Sequence, residues 1–249
     1  MRYFLEFSYA GTHYHGWQRQ SNAVSIQETI ENMLTTFFKN PTPLVAAGRT
    51  DTGVHAQQMF AHFQVINPIK DHIQWLYRAN QFLPYDIAIH HILRVNDDAH
   101  ARFDANSRTY QYHIKNKKSP FQNELNYCLY KDLTLDKMNK AAQILMEYED
   151  FKCFSKSNTD VKTFLCKISS AKWEKTKNGY IFTITANRFL RNMVRAIVGT
   201  LIEIGLNRKT IEDFHNIIQS KNRSEAGFSV PAQGLFLTQI TYPKSIFIK

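Results

Sequence analysis

Apolar and polar positions alternate from the first residues: Tyr3, Leu5, Phe7 and Tyr9 share one face of residues 2–9, which predicts a strand. The period then changes. Ser25-Ile26-Gln27-Glu28 fits a capping box, and Ile26, Ile30, Met33, Leu34, Phe37 and Phe38 follow on one face of a helix that Asn40-Pro41 ends. Pro43-Leu44-Val45 reads as the end of a short buried strand, and Met59 to Val65 as the next strand. A second helix is predicted from Asp71 to Phe82, closed by Pro84, and another strand from Ile87 to Val95. Strand, helix, strand, strand, helix, strand is the order of a split βαβ unit, here ending near residue 100.

The rest of the chain repeats the alternation without repeating a motif. A strand at Thr109–Lys115 leads into the basic, Pro-containing stretch Lys115 to Pro120. A helix is predicted from Thr134 to Met146, then a loop with Phe154-Ser155-Lys156. Residues 168–186 read as a hairpin turning at Lys177-Asn178-Gly179, where Asn-Gly is a favoured turn pair. A long helix from Phe189 to Gly205, a shorter one from Thr210 to Lys221 and a strand from Leu235 to Tyr242 complete the chain. The expected fold is α+β: two ferredoxin-like (split βαβ) halves, residues 1–104 and 105–249, with mainly antiparallel sheets, helices on one face and a cleft between the halves.

Composition narrows the class. The chain has 249 residues, enough to bury roughly 70–75% of its unfolded surface without covalent staples. Lys plus Arg total 31 against 21 acids, a net charge of +10 that favours a polyanionic partner, nucleic acid before anionic lipid. Aromatic residues make up 13%, enough for a large core and some rings for stacking on bases. Cys128, Cys153 and Cys166 are odd in number and lack metal spacing, which suits buried reduced thiols in the cytoplasm. The chain begins directly on a strand pattern, so a secretory leader is not expected, and no apolar run reaches the ~18 residues a membrane helix requires. Ten histidines form no metal set; His90 and His91 are adjacent on a strand and should face opposite ways. No phosphate-binding Gly-rich loop or dinucleotide fingerprint is present either. Neither metal nor cofactor is expected.

Candidate chemistry concentrates in residues 46–56. The loop carries Arg49, Thr50, Asp51 and Thr52 between Gly48 and Gly53, with His55 just beyond. Glycines let a backbone or ligand approach closely, and a framed Asp is presented on a rigid scaffold. Alternatively, Asp51 is a turn residue bonded to nearby amides. An ionised Asp51 can act as nucleophile or general base, but burial opposes ionisation, so it needs a cation. Arg49 is near in sequence. Arg195 is the better candidate, because on the helix from Phe189 it shares a face with Arg191 and Gly199 beside a broad apolar arc. A buried Arg almost requires an acidic partner. The loop from Gly11 to Asn22, with His13, Tyr14, His15, Trp17 and Arg19, suits RNA contacts if exposed; the other reading packs Trp17 in the core. Tyr110 and Tyr112 alternate on one strand, so both face the same way, where a ring can stack on a flipped-out base or pack in the core.

Gly48-Arg49-Thr50-Asp51-Thr52-Gly53-Val54-His55-Ala56 resembles the signature of the tRNA pseudouridine synthase A family. Four further stretches are similar to that family in the same order: Tyr9 to Gln18, Ser107 to Tyr112, Phe189 to Gly199 and Ala232 to Leu237. The resemblance covers nearly the whole chain. It implies isomerisation of uridine to pseudouridine in the anticodon stem-loop of tRNA, at positions 38, 39 and 40, without cofactor, by a cytoplasmic homodimer. It assigns Asp51 as nucleophile, Arg195 as its partner and Tyr110 as the ring that holds the base. Leu235 would line the uracil pocket. Arg49, Arg19, Arg191 and His55 are candidates for substrate contact, and His55 either meets RNA or caps the loop. Two other readings stand beside this one. A non-catalytic RNA-binding protein would gain little from a buried acid beside a polyanion. An Asp-nucleophile hydrolase lacks a second nearby carboxylate.

Overall fold

The computed structural model describes residues 1–118, 123–157 and 161–248, so the last two residues of the basic Lys115–Pro120 stretch lie outside it. In chain order the elements are β1 (Arg2–Tyr9), α1 (Ile26–Phe38), β2 (Val45–Ala46), β3 (His55–Gln64), α2 (His72–Phe82), β4 (Ile87–Val95), β5 (Ser107–Lys115), β6 (Tyr127–Cys128), α3 (Leu135–Ile144), β7 (Ile168–Thr176), β8 (Gly179–Ala186), α4 (Met193–Gly205), α5 (Ile211–Ser220) and β9 (Leu235–Thr241). The α+β class and the antiparallel pairing are as expected. The chain forms two compact units, Met1–Asn106 with Leu237–Lys249, and Ser107–Phe236. Residues 237–249 therefore join the first unit, whereas sequence order had put them in the second.

In the first unit the strands run β4-β1-β3-β9, with β2 beside β3. Tyr3 and Phe63, paired across β1 and β3, meet His72 of α2 and Phe38 of α1 respectively, so both helices cover this face. Ser25 Oγ accepts from the Glu28 amide and starts α1; Asp71 Oδ1 accepts from the Gln74 amide and starts α2. On the other face Phe4 packs against Phe60, Tyr242 and Phe247, which is why the last residues belong here. Beside them His62 is buried, its Nδ1 accepting from the Ala101 amide, and burial pushes its pKa down to about 4.

The second unit orders its strands β5-β8-β7, with β6 parallel to β5. Tyr112, Phe182 and Trp173 form one cross-strand row, all fully or almost fully buried. Helix α3 packs on β7 and on α4, which is buried nearly all round. Burial raises the thiols of Cys153 and Cys166, to about 12 and about 11, consistent with unreactive core cysteines.

Each unit also clamps an outer strand with a helix asparagine. Asn80 donates to the Ile89 carbonyl and accepts from its amide at 2.9 and 2.8 Å; Asn139 does the same to Trp173 at 3.1 and 2.8 Å. A side-chain amide thus occupies backbone groups that would otherwise offer an open edge.

Three local expectations are corrected. β2 begins at Val45 rather than ending there, and Val45 is exposed while Leu44 is buried. His90 and His91 do not face opposite ways: the β1–β4 register shifts at Glu6/Phe7, and the two rings reach Ser8 and Glu6, alternate positions of one strand. The long helix starts at Met193, not Phe189, because Asn192 sits in the left-handed region at φ 66. Asparagine tolerates that conformation, which a helix does not contain.

Candidate active site

Asp51 opens a tight turn. The Val54 amide donates to the Asp51 carbonyl at 3.1 Å, and Gly53, third in the turn, has φ 76, a conformation that favours glycine there. Asp51 is half-buried between exposed Thr52 and buried Thr50. What steadies the turn is the N-terminal segment. Tyr9 and Thr50 share a hydroxyl hydrogen bond at 2.8 Å, the Trp17 amide donates to the Thr50 carbonyl, and the Gly11 amide donates to His55 Nδ1 at 3.0 Å. Two glycines make this approach feasible. A Cβ on Gly11 would lie 2.0 Å from the Val54 carbonyl oxygen, and one on Gly16, at φ 85, would lie 2.5 Å from that of Thr50. Gly48 has open space around its Cβ position, so the close approach expected at the loop's own leading glycine occurs instead at Gly11 and Gly16.

This packing sorts the neighbouring candidates. His55 is 1% exposed and holds the Gly11 amide, so it caps the loop. Trp17 and Tyr14 are buried, Tyr14 donating to Asp86 at 2.7 Å; burial first, and then that bond, raise its pKa. The rings of the Gly11–Asn22 loop thus pack inward, while His13, His15 and Arg19 stay exposed. Arg49 is exposed. Arg19, itself exposed, lies 3.4 Å from half-buried Glu28 and 3.8 Å from buried Glu31.

In the second unit, Tyr110 is half-buried on β5, its ring edge-on to Phe189 at 5.2 Å between centroids. Tyr112 is fully buried and donates to the Pro231 carbonyl; burial raises its hydroxyl pKa. Leu235, 6% exposed, begins β9 just after Gly234, where a Cβ would lie 2.8 Å from the Tyr112 ring. Arg195 lies in the first turn of α4, half-buried, with Nε donating to the Val230 carbonyl at 2.7 Å. Arg191 precedes the helix and is exposed, so the left-handed Asn192 removes it from the face it was expected to share with Arg195. Sequence reading passed over Thr200, Arg223 and Ser229, which build the ground on which Arg195 stands. Nothing local in the sequence marks them: Thr200 is a lone hydroxyl among the buried residues of α4.

A family model described as tRNA pseudouridine synthase matches residues 141–243, a span that includes Arg195 and Leu235. Relatives named tRNA pseudouridine synthase A align over the whole chain. Those of Parabacteroides distasonis and Bacteroides fragilis are each 49% identical, over 99% of this chain and 98% of their own. One from Staphylococcus aureus is 35% identical over 100% of this chain and 95% of its own. The chain belongs to the tRNA pseudouridine synthase A family.

Proposed function

We propose that the protein converts uridine to pseudouridine in the anticodon stem-loop of tRNA, at positions 38, 39 and 40, with Asp51 as the nucleophile. The observation that carries the reading is full-length similarity to relatives named tRNA pseudouridine synthase A, joined to an Asp presented on a turn that a second segment of chain braces. The reaction breaks the bond from the sugar C1′ to uracil N1 and forms one from C1′ to C5; C5 loses a proton and N1 gains one. It has no redox change. A carboxylate at Asp51 can attack the base, attack the sugar carbon or first remove a sugar proton.

The other roles follow from side-chain chemistry. Arg195 is the cation that partners the nucleophile, as the family resemblance implies, and its planar fork matches a carboxylate better than an ammonium does. Tyr110 offers a half-buried ring on which the detached uracil can stack. Leu235 lines the apolar side of the uracil pocket. Arg49, Arg191 and Arg19 are exposed and meet phosphates, with Arg19 turning from Glu28 to the RNA. His55 acts from beneath, holding the loop rather than the RNA. The family resemblance implies a cytoplasmic homodimer. Among the described residues no helix is long and apolar enough to cross a membrane.

The test is to incubate the purified protein with unmodified tRNA and map pseudouridine at nucleotide resolution. Modification at 38, 39 and 40 is the expected result. A tRNA that binds but stays unmodified would return the protein to the RNA-binding reading.

A further inference from the structure

The segment after α5 crosses α4 at unusually short range. A Cβ on Gly199 would lie 1.8 Å from the Phe228 carbonyl oxygen, and one on Gly227 would lie 2.8 Å from the Thr200 Cα. Backbone therefore rests directly on backbone, and no side chain larger than hydrogen fits at either position. The crossing is also bonded. Thr200, fully buried, donates its hydroxyl to the Ala196 carbonyl at 2.8 Å and accepts from the Gly227 amide at 2.9 Å. Arg223 donates to the Gly227 carbonyl and to Ser229 Oγ, and Asn192 donates to the same Ser229 oxygen at 2.6 Å. At its end Val230 and Arg195 bond reciprocally: the Val230 amide to the Arg195 carbonyl, and Arg195 Nε to the Val230 carbonyl.

We infer that residues 223–230 form a strap whose role is to aim the Arg195 guanidinium, with Thr200 as the positioning residue that holds the strap to the helix. The inference rests on the reading of Arg195 as the partner of the nucleophile. The physical need is clear. An arginine side chain has four rotatable bonds, so fixing its Cα on a helix leaves the head group unplaced. A bond at Nε fixes the plane of the guanidinium and turns the edge formed by its two terminal nitrogens in one direction. That edge carries the paired donors that match a carboxylate. The Val230 carbonyl can give this direction only if it is itself immobile. Thr200 is one turn and more beyond Arg195 and acts solely through the strap. Its hydroxyl is satisfied on both sides, so it needs no ligand to explain its burial.

Thr200→Val keeps the shape and removes the bond to Gly227. With the full-length protein and unmodified tRNA, its kcat should fall about ten- to a hundredfold, the scale of an ångström-sized misplacement, while tRNA affinity stays within about twofold. Thr200→Ser should restore the rate. In an Arg195→Lys background, whose head group lacks the Nε contact, Thr200→Val should lower kcat by less than about twofold further, because the strap has lost what it aims. A second readout does not depend on turnover: exchange of the Arg195 Nε–H proton, followed by NMR, should quicken in Thr200→Val. Ser229→Ala, a less buried change to the same strap, should move both readouts in the same direction and serves if Thr200→Val does not fold. An equal loss of kcat in both backgrounds, or an unchanged exchange rate, would overturn the strap. Wild-type kcat in Arg195→Lys alone would overturn the role of Arg195 first, and the strap with it.

Discussion

Asp51 and Arg195 are braced by the same device applied to different targets. In each case a distant segment of chain crosses at glycine with no room for a Cβ: Gly11 and Gly16 over residues 50–54, and Gly199 with Gly227 over α4. At Asp51 the bonds described above go to the backbone of the turn and to its neighbours Thr50 and His55. At Arg195 the crossing segment takes hold of the side chain itself, at Nε. The difference follows from side-chain length. Aspartate has two rotatable bonds, so placing its backbone nearly places its carboxylate. Arginine carries about 2 kcal/mol of rotamer entropy, and a helix position alone leaves its fork undirected.

The two crossings can be broken separately. Gly199→Ala gains about 1 kcal/mol of helix propensity, yet its Cβ would meet a carbonyl oxygen at 1.8 Å. The overlap should win, with a net loss of roughly 2–3 kcal/mol in denaturant unfolding as the strap lifts. A neutral or stabilised variant would mean that the strap yields freely. Acid provides a contrast in the first unit. The His62 pKa is about 4 in the fold against 6.5 unfolded. A depressed histidine leaves stability intact above the unfolded value; below it the unfolded chain takes up the proton first. Stability should therefore fall as pH drops from 6.5 to about 4, by up to roughly 3 kcal/mol, and His62→Gln should flatten that slope in a pH series of unfolding curves.

Smaller effects sharpen the comparison at the loop. Gly16→Ala meets both a positive φ and a carbonyl at 2.5 Å, so about 2 kcal/mol should be lost. Gly48→Ala, with open space at its Cβ, should range from neutral to about 1 kcal/mol stabilising. If both glycines responded alike, the bracing by the N-terminal segment would be wrong. Tyr110→Leu removes a stacking ring worth about 1–3 kcal/mol per base, which should appear in single-turnover rates. Tyr110→Phe keeps the ring and should retain most of the stacking, slowing the reaction only if the hydroxyl moves a proton. Equal, wild-type rates in both would return Tyr110 to simple packing.

Local signals carried much of this fold. The periodic faces of β1 and α1, the extent of α2, the Ser25 cap and the Asn178-Gly179 hairpin were all legible, because each depends on neighbours within a few residues. The Asp51 turn was legible too, although the reason for its rigidity was not: Gly11 and Gly16 lie more than thirty residues away along the chain. The start of α4 was misread for a similar reason. Apolar spacing continues through Phe189 and Leu190, while Asn192 turns left-handed and bonds to Ser229. No periodicity records a partner that far along the chain. Thr200 was missed because a hydroxyl inside an apolar helix has no pattern to complete.

The most direct test of the account replaces Asp51 with Asn and measures two quantities on the same tRNA: the single-turnover rate of pseudouridine formation and the dissociation constant. Affinity comes mainly from phosphate contacts, so it should stay within about twofold of wild type, while the rate should fall by at least about a thousandfold, as for other enzymes stripped of a nucleophile. A variant that binds normally and still forms pseudouridine near the wild-type rate would contradict the assignment of Asp51.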